Sequence, residues 1–237
     1  TLLSRDRASR DVDWARSLYK QIQPQTDITR MGPCSIRFFS SLAESIKGDF
    51  IDLLPEANPP TISVFDAFHQ GIPAALTLYI VRTALRAAPG QSGLLAAHRI
   101  LGEFTDPPLR TALTLCEVLP DSVRVTCAGN PVPIILTQGL EPATNGFRGT
   151  PLGMPGDLDT QTREFSLNQG QVLVISTNGV TKAFGDEEGI GLRQFLASGG
   201  STLDTLHESL KQELHSRKGK EVFPDDLSYV LIQGPAL

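Results

Sequence analysis

The 237-residue sequence is poor in cysteine, has no long apolar run and carries no excess of basic residues. Its 26 acidic residues outnumber its 21 lysines and arginines, and the formal net charge is −5. This balance argues against a nucleic-acid partner, because nucleic-acid-binding surfaces show basic patches. The longest apolar stretch, residues 72–85, is interrupted by two threonines and an arginine. It is too short and too polar to span a bilayer, so we predict no contact with a membrane.

The cysteines and the start of the chain bear on its cellular context. Cys34, Cys116 and Cys127 are an odd number without Cys-x-x-Cys spacing, which excludes a disulfide scaffold and a zinc site. We therefore predict a reduced, cytoplasmic chain. The sequence opens on Thr1 with polar and charged residues and shows no signal peptide. We expect it to be part of a longer protein in which another domain precedes Thr1.

The hydrophobic pattern predicts strands and helices in alternating groups. The predicted helices are residues 11–24, 72–87, 91–104, 190–198 and 202–217. The predicted strands are residues 35–39, 48–53, 61–65, 111–118, 123–128, 133–137, 162–167, 172–176 and 227–232. Pairs of helices between groups of antiparallel strands are typical of an α+β sandwich, with the sheets inside and the helices outside. We divide the chain into a linker with a first helix, residues 1–27, and one domain, residues 28–237.

Acidic side chains lie at the ends of the predicted strands. Asp49 begins one strand, Asp66 ends the next, and Asp225 and Asp226 precede the last. Carboxylates at sheet ends suit hard divalent cations such as Mg²⁺ and Mn²⁺, and two such ions about 3.5–4 Å apart can activate a water for attack on phosphorus. Asp is also common at strand ends because it caps local backbone N–H groups. Spacing alone leaves both interpretations open.

Seven short motifs occur in a fixed order along residues 11–233. They are Ile22-Gln23-Pro24, Lys47-Gly48-Asp49-Phe50-Ile51-Asp52, residues 66–76, Cys127-Ala128-Gly129-Asn130-Pro131, Pro151-Leu152-Gly153, Thr177-Asn178-Gly179-Val180 and Asp225-Asp226-Leu227-Ser228. In this order they resemble the SpoIIE/RsbU branch of the PPM (PP2C-like) metal-dependent serine/threonine phosphatases. The resemblance implies an α-β-β-α sandwich of two antiparallel sheets flanked by helix pairs, with residues 28–237 as the phosphatase domain.

The resemblance also implies roles for single residues. It assigns metal ligands to Asp49, Asp66, the backbone carbonyl of Ala67, Asn178 and Asp225, with Asp66 bridging two Mn²⁺ or Mg²⁺ ions. It places around them a second group of residues, namely Asp52, Asp226, Gly48, Gly179 and His69. The attacking group is then the metal-activated water, and no side chain is expected to act as a catalytic residue beyond it.

The motifs depart from the family pattern at three points. Asn178 stands where the family has an Asp, and an amide oxygen carries no charge, so one metal position should be weakened. Lys47 replaces a glycine, and its ammonium would compete with a metal if it pointed into the site but would be neutral if it faced solvent. Phe68 and His69 are bulkier than the family's residues, and a loop histidine more often makes a hydrogen bond than binds a metal.

Two functions follow from the resemblance. The first is a phosphatase of reduced activity that acts on a phosphorylated regulatory protein, typically an anti-sigma-factor antagonist of the STAS fold. Its first helix, residues 11–24, would be a switch and a candidate dimer contact behind an upstream sensor or receiver domain. The alternative is a degenerate pseudophosphatase, the output domain of a response regulator of the RssB type, which binds a partner as an adaptor. Asn178 and Lys47 favour the alternative, and the retained aspartates favour the enzyme.

Overall fold

The computed structural model describes residues 2–24, 28–41, 46–129, 133–137, 143–144, 149–167, 171–185, 189–198, 202–220 and 225–234. Within these ranges the helices are α1 (Leu2–Ile22), α2 (Ile72–Ala87), α3 (Gln91–Gly102), α4 (Asn178–Ala183), α5 (Ile190–Ala197) and α6 (Leu203–Lys220). The strands are β1 (Ile28–Met31), β2 (Cys34–Ser41), β3 (Asp49–Leu54), β4 (Thr61–Ala67), β5 (Thr111–Val118), β6 (Val123–Ala128), β7 (Ile134–Leu136), β8 (Ala143–Thr144), β9 (Gln161–Phe165), β10 (Val172–Ser176) and β11 (Leu227–Gln233). None of the described helices is both long enough and apolar enough to cross a membrane.

The described strands form two sheets in which every neighbouring pair is antiparallel. One sheet has the order β1-β2-β11-β10-β7-β8 and the other has the order β3-β4-β5-β6-β9. The strands are rich in β-branched and aromatic residues, which pack well on a pleated surface. In the second sheet β3 pairs with β4 so that Asp49 lies opposite Asp66.

Three hydrophobic cores separate four layers. The first core lies between α1, α2 and α3 and the sheet that contains β3, and it includes Tyr19, Phe50 and Leu78. The second core lies between the two sheets and contains all three cysteines. The third core lies between the other sheet and α4, α5 and α6, and it includes Val174 and Leu210. This arrangement confirms the predicted α-β-β-α sandwich, with three helices on each outer face instead of the expected pair.

Four segments differ from the expectation. Helix α1 begins at Leu2 and not at residue 11, because its first residues lack Pro and Gly and favour a helix without needing an apolar stripe. Strand β1, a short partner of β2, and the two-residue strand β8 have too few residues to show a period. Helix α4 was not predicted either, because Gly179, Val180 and Thr181 are poor helix formers.

Candidate active site

The paired strands β3 and β4 bring two carboxylates together at one end of the sheet. Successive side chains of a strand point to opposite faces. Ile51 and Val64 therefore enter the core between the sheets, and Asp49 and Asp66, two residues further along their strands, lie on the same face. Asp49 is 3% exposed and Asp66 is 8% exposed. Two buried acids thus face each other at the open edge of the inter-sheet core.

Gly48 allows the two strand ends to approach closely. It has a φ of 116°, a backbone conformation that glycine adopts without strain, and a Cβ there would lie 2.7 Å from the carbonyl oxygen of Ala67. The N–H of Ala67 donates to the Gly48 carbonyl at 3.0 Å. The glycine of this motif therefore holds the Ala67 backbone against the strand that carries Asp49.

The segment between β10 and α4 supplies hydrogen-bond donors to both acids. The Thr177 hydroxyl donates to Oδ2 of Asp49 at 2.5 Å, and the backbone N–H of Asn178 donates to the Asp66 carboxylate. Ser228 donates a second hydroxyl to Asp49. At Gly179 a Cβ would lie 2.0 Å from the carbonyl oxygen of Asp226, so only glycine lets this turn approach the segment before β11.

The two acids before β11 lie at different depths. Asp226 is 1% exposed and lies close enough to Asp49 and Asp66 to raise the pKa of both carboxyls. Asp225 is about one-third exposed, and its Oδ2 accepts a hydrogen bond from Nζ of Lys182 at 3.0 Å. The site therefore has a buried part with three carboxylates and an outer part with one carboxylate paired to a lysine.

These groups line an open cleft with a volume of about 280 Å³. Its lining residues are Lys47, Asp49, Asp66, Ala67, Phe68, His69, Gln70, Asn178, Lys182, Asp225 and Asp226. A concave polar site with several convergent acids is the form expected for a binding or catalytic site.

Burial and mutual repulsion dominate the electrostatics of the cleft. Burial, followed by the charge of Asp225, raises the pKa of Asp66 to about 7, although the Lys182 ammonium opposes the shift. Burial and the charges of Asp66 and Asp226 raise the pKa of Asp49 well above its usual range. Acids with pKa values perturbed in this way, facing one another in a cleft, are typical of functional sites.

The end of α1 contacts the inner wall of the site. The Tyr19 hydroxyl donates to the backbone carbonyl of Asp49, and Nε2 of Gln23 donates to the same oxygen at 3.3 Å. Tyr19 is buried in the first core, and its ring is tilted against that of Phe50 at a centroid distance of 6.0 Å. The first helix is therefore joined directly to a residue of the cleft.

One expected neighbour lies elsewhere. Asp52 is on β3 but three residues from Asp49, so its side chain points to the opposite face, toward α2. There it accepts hydrogen bonds from Arg86 at 2.7 and 3.0 Å and lies 3.4 Å from Arg82. This corrects the expectation that Asp52 lies beside the metal ligands, because its charge is used to hold α2 on the sheet.

The other expected residues lie at or beside the cleft. His69 donates from Nε2 to the carbonyl oxygen of Pro108, so it acts as a hydrogen-bonding loop residue. Lys47 is half-buried at the rim and donates to Oε1 of Gln70 at 2.9 Å, so its ammonium is held by a neutral side chain. Asn130 and Pro131, part of the fourth motif, lie outside the described residues.

Sequence reasoning missed several residues that shape the cleft. Thr177 and Ser228 were present in the motifs but were given no role, and Lys182 was not noticed at all. Lys182 follows Asn178 by four residues, which is the spacing of neighbours on one face of a helix, so a prediction of α4 would have found it.

The donor chemistry fits a hard divalent cation at the buried part of the cleft. Asp49 and Asp66 offer carboxylate oxygens, and the Ala67 backbone lines the same space. Mg²⁺ is commonly held by one or two carboxylates with several waters. Among the described residues no group of three or more His, Cys, Asp or Glu side chains is gathered closely enough to hold a metal ion. Among the described residues, Asp49 and Asp66 are the carboxylates best placed to hold such an ion.

Comparisons with known proteins agree with this fold. The family model described as Stage II sporulation protein E (SpoIIE) matches residues 61–235. The SiaA-PP2C domain of Pseudomonas aeruginosa superposes with a TM-score of 0.74 and 17% sequence identity, over 98% of this chain and 99% of that chain. RsbX, solved in complex with magnesium, gives a TM-score of 0.63 and 18% identity, over 87% of this chain and 98% of its own.

A two-domain structure also matches. The RsbU and RsbW domains of a Mycobacterium tuberculosis protein give a TM-score of 0.68 and 19% identity, over 89% of this chain. The present chain spans 63% of that structure, which is less than two thirds of its length. No sequence among the curated proteins matches this chain. At these identities the solved structures establish a shared fold.

Proposed function

Since the chain belongs to the SpoIIE family, we propose that it is a metal-dependent, PP2C-like phosphatase domain that removes phosphate from serine or threonine of a regulatory protein. The observation that carries this proposal is the set of three buried carboxylates, Asp49, Asp66 and Asp226, open to a polar cleft. Burying acids without a matching cation costs folding free energy. A fold used only as a rigid surface would gain nothing from keeping them.

We assign the following roles to the residues of the cleft. Asp49 and Asp66 would hold Mn²⁺ or Mg²⁺, with the carbonyl of Ala67 beside them. When bound, such a cation supplies positive charge that lowers the pKa of a water and draws in phosphoryl oxygens. Thr177 fixes the orientation of the Asp49 carboxylate through its hydroxyl. Lys47 at the rim would raise the local concentration of a phosphate dianion through its positive charge.

Apolar side chains beside the cleft support a protein substrate. Phe68 is 51% exposed and lines the cleft, and Ile72 and Leu76 follow it at four-residue intervals, 46% and 51% exposed. A partner that placed a phosphorylated side chain in the cleft would cover Phe68 and could extend along the start of α2. By the sequence resemblance, the proposed partner is a STAS-type anti-sigma-factor antagonist.

The contacts of α1 support a switch role for this helix. Tyr19 and Gln23 both bind the Asp49 carbonyl, so a movement of α1 would be felt at a residue of the cleft. We propose that a sensor or receiver domain on the N-terminal side acts through this contact. Dimerisation through residues 11–24 remains part of the same proposal.

The adaptor function is the second candidate, and the outer part of the cleft favours it. Asn178 lacks a charge there, and Asp225 is paired with Lys182. A partner protein could be gripped by this surface without hydrolysis.

Release of phosphate from a phosphorylated STAS protein, with and without Mn²⁺, separates the two functions. We expect Mn²⁺-dependent release by the wild type, no release by Asp66→Asn, and wild-type release by Asp121→Asn, a change at an exposed turn. If the chain bound the phosphorylated partner but released no phosphate at any Mn²⁺ concentration, the adaptor function would be supported and the phosphatase function refuted.

A further inference from the structure

We propose that Lys182 supplies the positive charge at the outer part of the cleft, so that this chain binds one divalent cation, at Asp49 and Asp66, and not two. The proposal deepens the proposed function because it concerns the same cleft. It does not require that hydrolysis occurs.

The first support is the geometry of Lys182. It lies on α4 four residues after Asn178, and both side chains line the cleft. Its Nζ lies 3.0 Å from Oδ2 of Asp225, with 40% of the lysine side chain and 32% of the aspartate side chain exposed. The ammonium therefore neutralises the Asp225 carboxylate, which a cation on this side would need as a ligand.

The second support is the distribution of formal charge. Asp225 and Lys182 cancel each other, and Asn178 beside them is neutral. Asp49, Asp66 and Asp226 together carry three negative charges when ionised. A divalent cation gains most where negative charge is concentrated and water is excluded. The outer part offers neither, since its carboxylate is neutralised and partly exposed.

The third support is the contrast between the two lysines of the cleft. Nζ of Lys182 donates to the carboxylate of Asp225, whereas Lys47 donates to the neutral side chain of Gln70. The two lysines differ in what they bind, which makes Lys47 a matched control.

The experiment counts Mn²⁺ ions per chain by isothermal titration calorimetry and by EPR of the unbound ion. We expect one ion for the wild type, one for Lys47→Gln and none for Asp66→Asn. The double variant Asn178→Asp/Lys182→Gln should bind a second ion. Thermal melting of each variant confirms that it is folded.

Each other result would overturn the proposal. Two ions on the wild type would show that Lys182 is displaced by metal, and no ion on any folded variant would show that the cleft is not a cation site. A double variant that still binds one ion would show that Lys182 and Asn178 do not determine how many Mn²⁺ ions the chain binds. This outcome is distinguishable from failure of the proposed function. If the chain bound one ion but released no phosphate, the ion count would stand and the phosphatase function would be refuted.

Discussion

Asp49 and Asp52 lie on the same strand, and each is 3% exposed, but their surroundings are opposite. Asp52 is held by Arg86 and Arg82 on α2, so its charge is neutralised and used to join a helix to a sheet. The Asp49 carboxylate accepts from the hydroxyls of Thr177 and Ser228 and lies near two further acids, Asp66 and Asp226. This difference supports the proposal that Asp49 binds a cation, whereas Asp52 joins a helix to the sheet.

The largest expected effect tests the binding role at the centre of the cleft. Asp66→Asn should lower Mn²⁺ affinity and phosphate release on the order of 100-fold or more, because it removes the carboxylate that faces Asp49. The folded wild type should gain melting temperature on addition of Mn²⁺, since a ligand that binds only the native state stabilises it. The variant should show no such gain. An equal gain in both proteins would place the cation elsewhere.

The next effect tests the structural role of Asp52. Asp52→Asn should destabilise the chain by about 2–3 kcal/mol, because it leaves two arginines of a partly buried ion pair without their acid. Denaturant unfolding measures this, with Asp121→Asn as a control expected within about 0.5 kcal/mol of the wild type. Mn²⁺ binding by the folded variant should be unchanged. If the variant lost Mn²⁺ binding but kept its stability, Asp52 would be the cation-binding acid of β3 and its structural role would be refuted.

The layers of the fold and most of the cleft were predictable because they depend on local periods. Alternation along the strands and helical spacing in α2, α3 and α6 identify the core faces, and the acids stand where the strands end. The prediction that Asp52 lies beside Asp49 was wrong, and the spacing of the two residues in the sequence explains why. Residues three apart on a strand point to opposite faces, and a short motif conceals this.

Helix α4 and Lys182 could not be predicted in the same way. Residues 178–183 have weak helix propensity, and the turn before them is held by contacts far along the chain, from Thr177 to Asp49 and from Gly179 to the Asp226 backbone. Tertiary contacts therefore decide the local structure. The ion pair of Lys182 with Asp225 joins residues 43 positions apart, which no local period reveals.

A third effect has the opposite sign to that of Asp52. Asp49→Asn should stabilise the metal-free chain by about 1–2 kcal/mol at pH 8, because burial and the neighbouring acids raise the pKa of Asp49, so that either ionising it or protonating it in the folded state costs free energy that the amide does not, while the amide oxygen can still accept from Thr177. Urea unfolding with EDTA measures the change. Stabilisation by Asp49→Asn together with destabilisation by Asp52→Asn would show that the two acids of β3 have opposite effects on stability. Destabilisation by both would show that Asp49 is also structural.

The smallest effect is the pH dependence of the metal-free chain. The pKa of Asp66 is about 7 in the folded state and about 4 when unfolded, so the folded state binds the proton more tightly. Its contribution to stability is fully present below about pH 4 and is lost as the pH rises through about 7. Between pH 6.5 and 8 the free energy of unfolding should therefore fall by about 1 kcal/mol in EDTA, and Asp66→Asn should flatten this slope. Asp52→Asn should keep this pH dependence, since Asp52 lies on the other face of β3. If Asp52→Asn lost the pH dependence and Asp66→Asn kept it, the titrating group would be Asp52 and not Asp66.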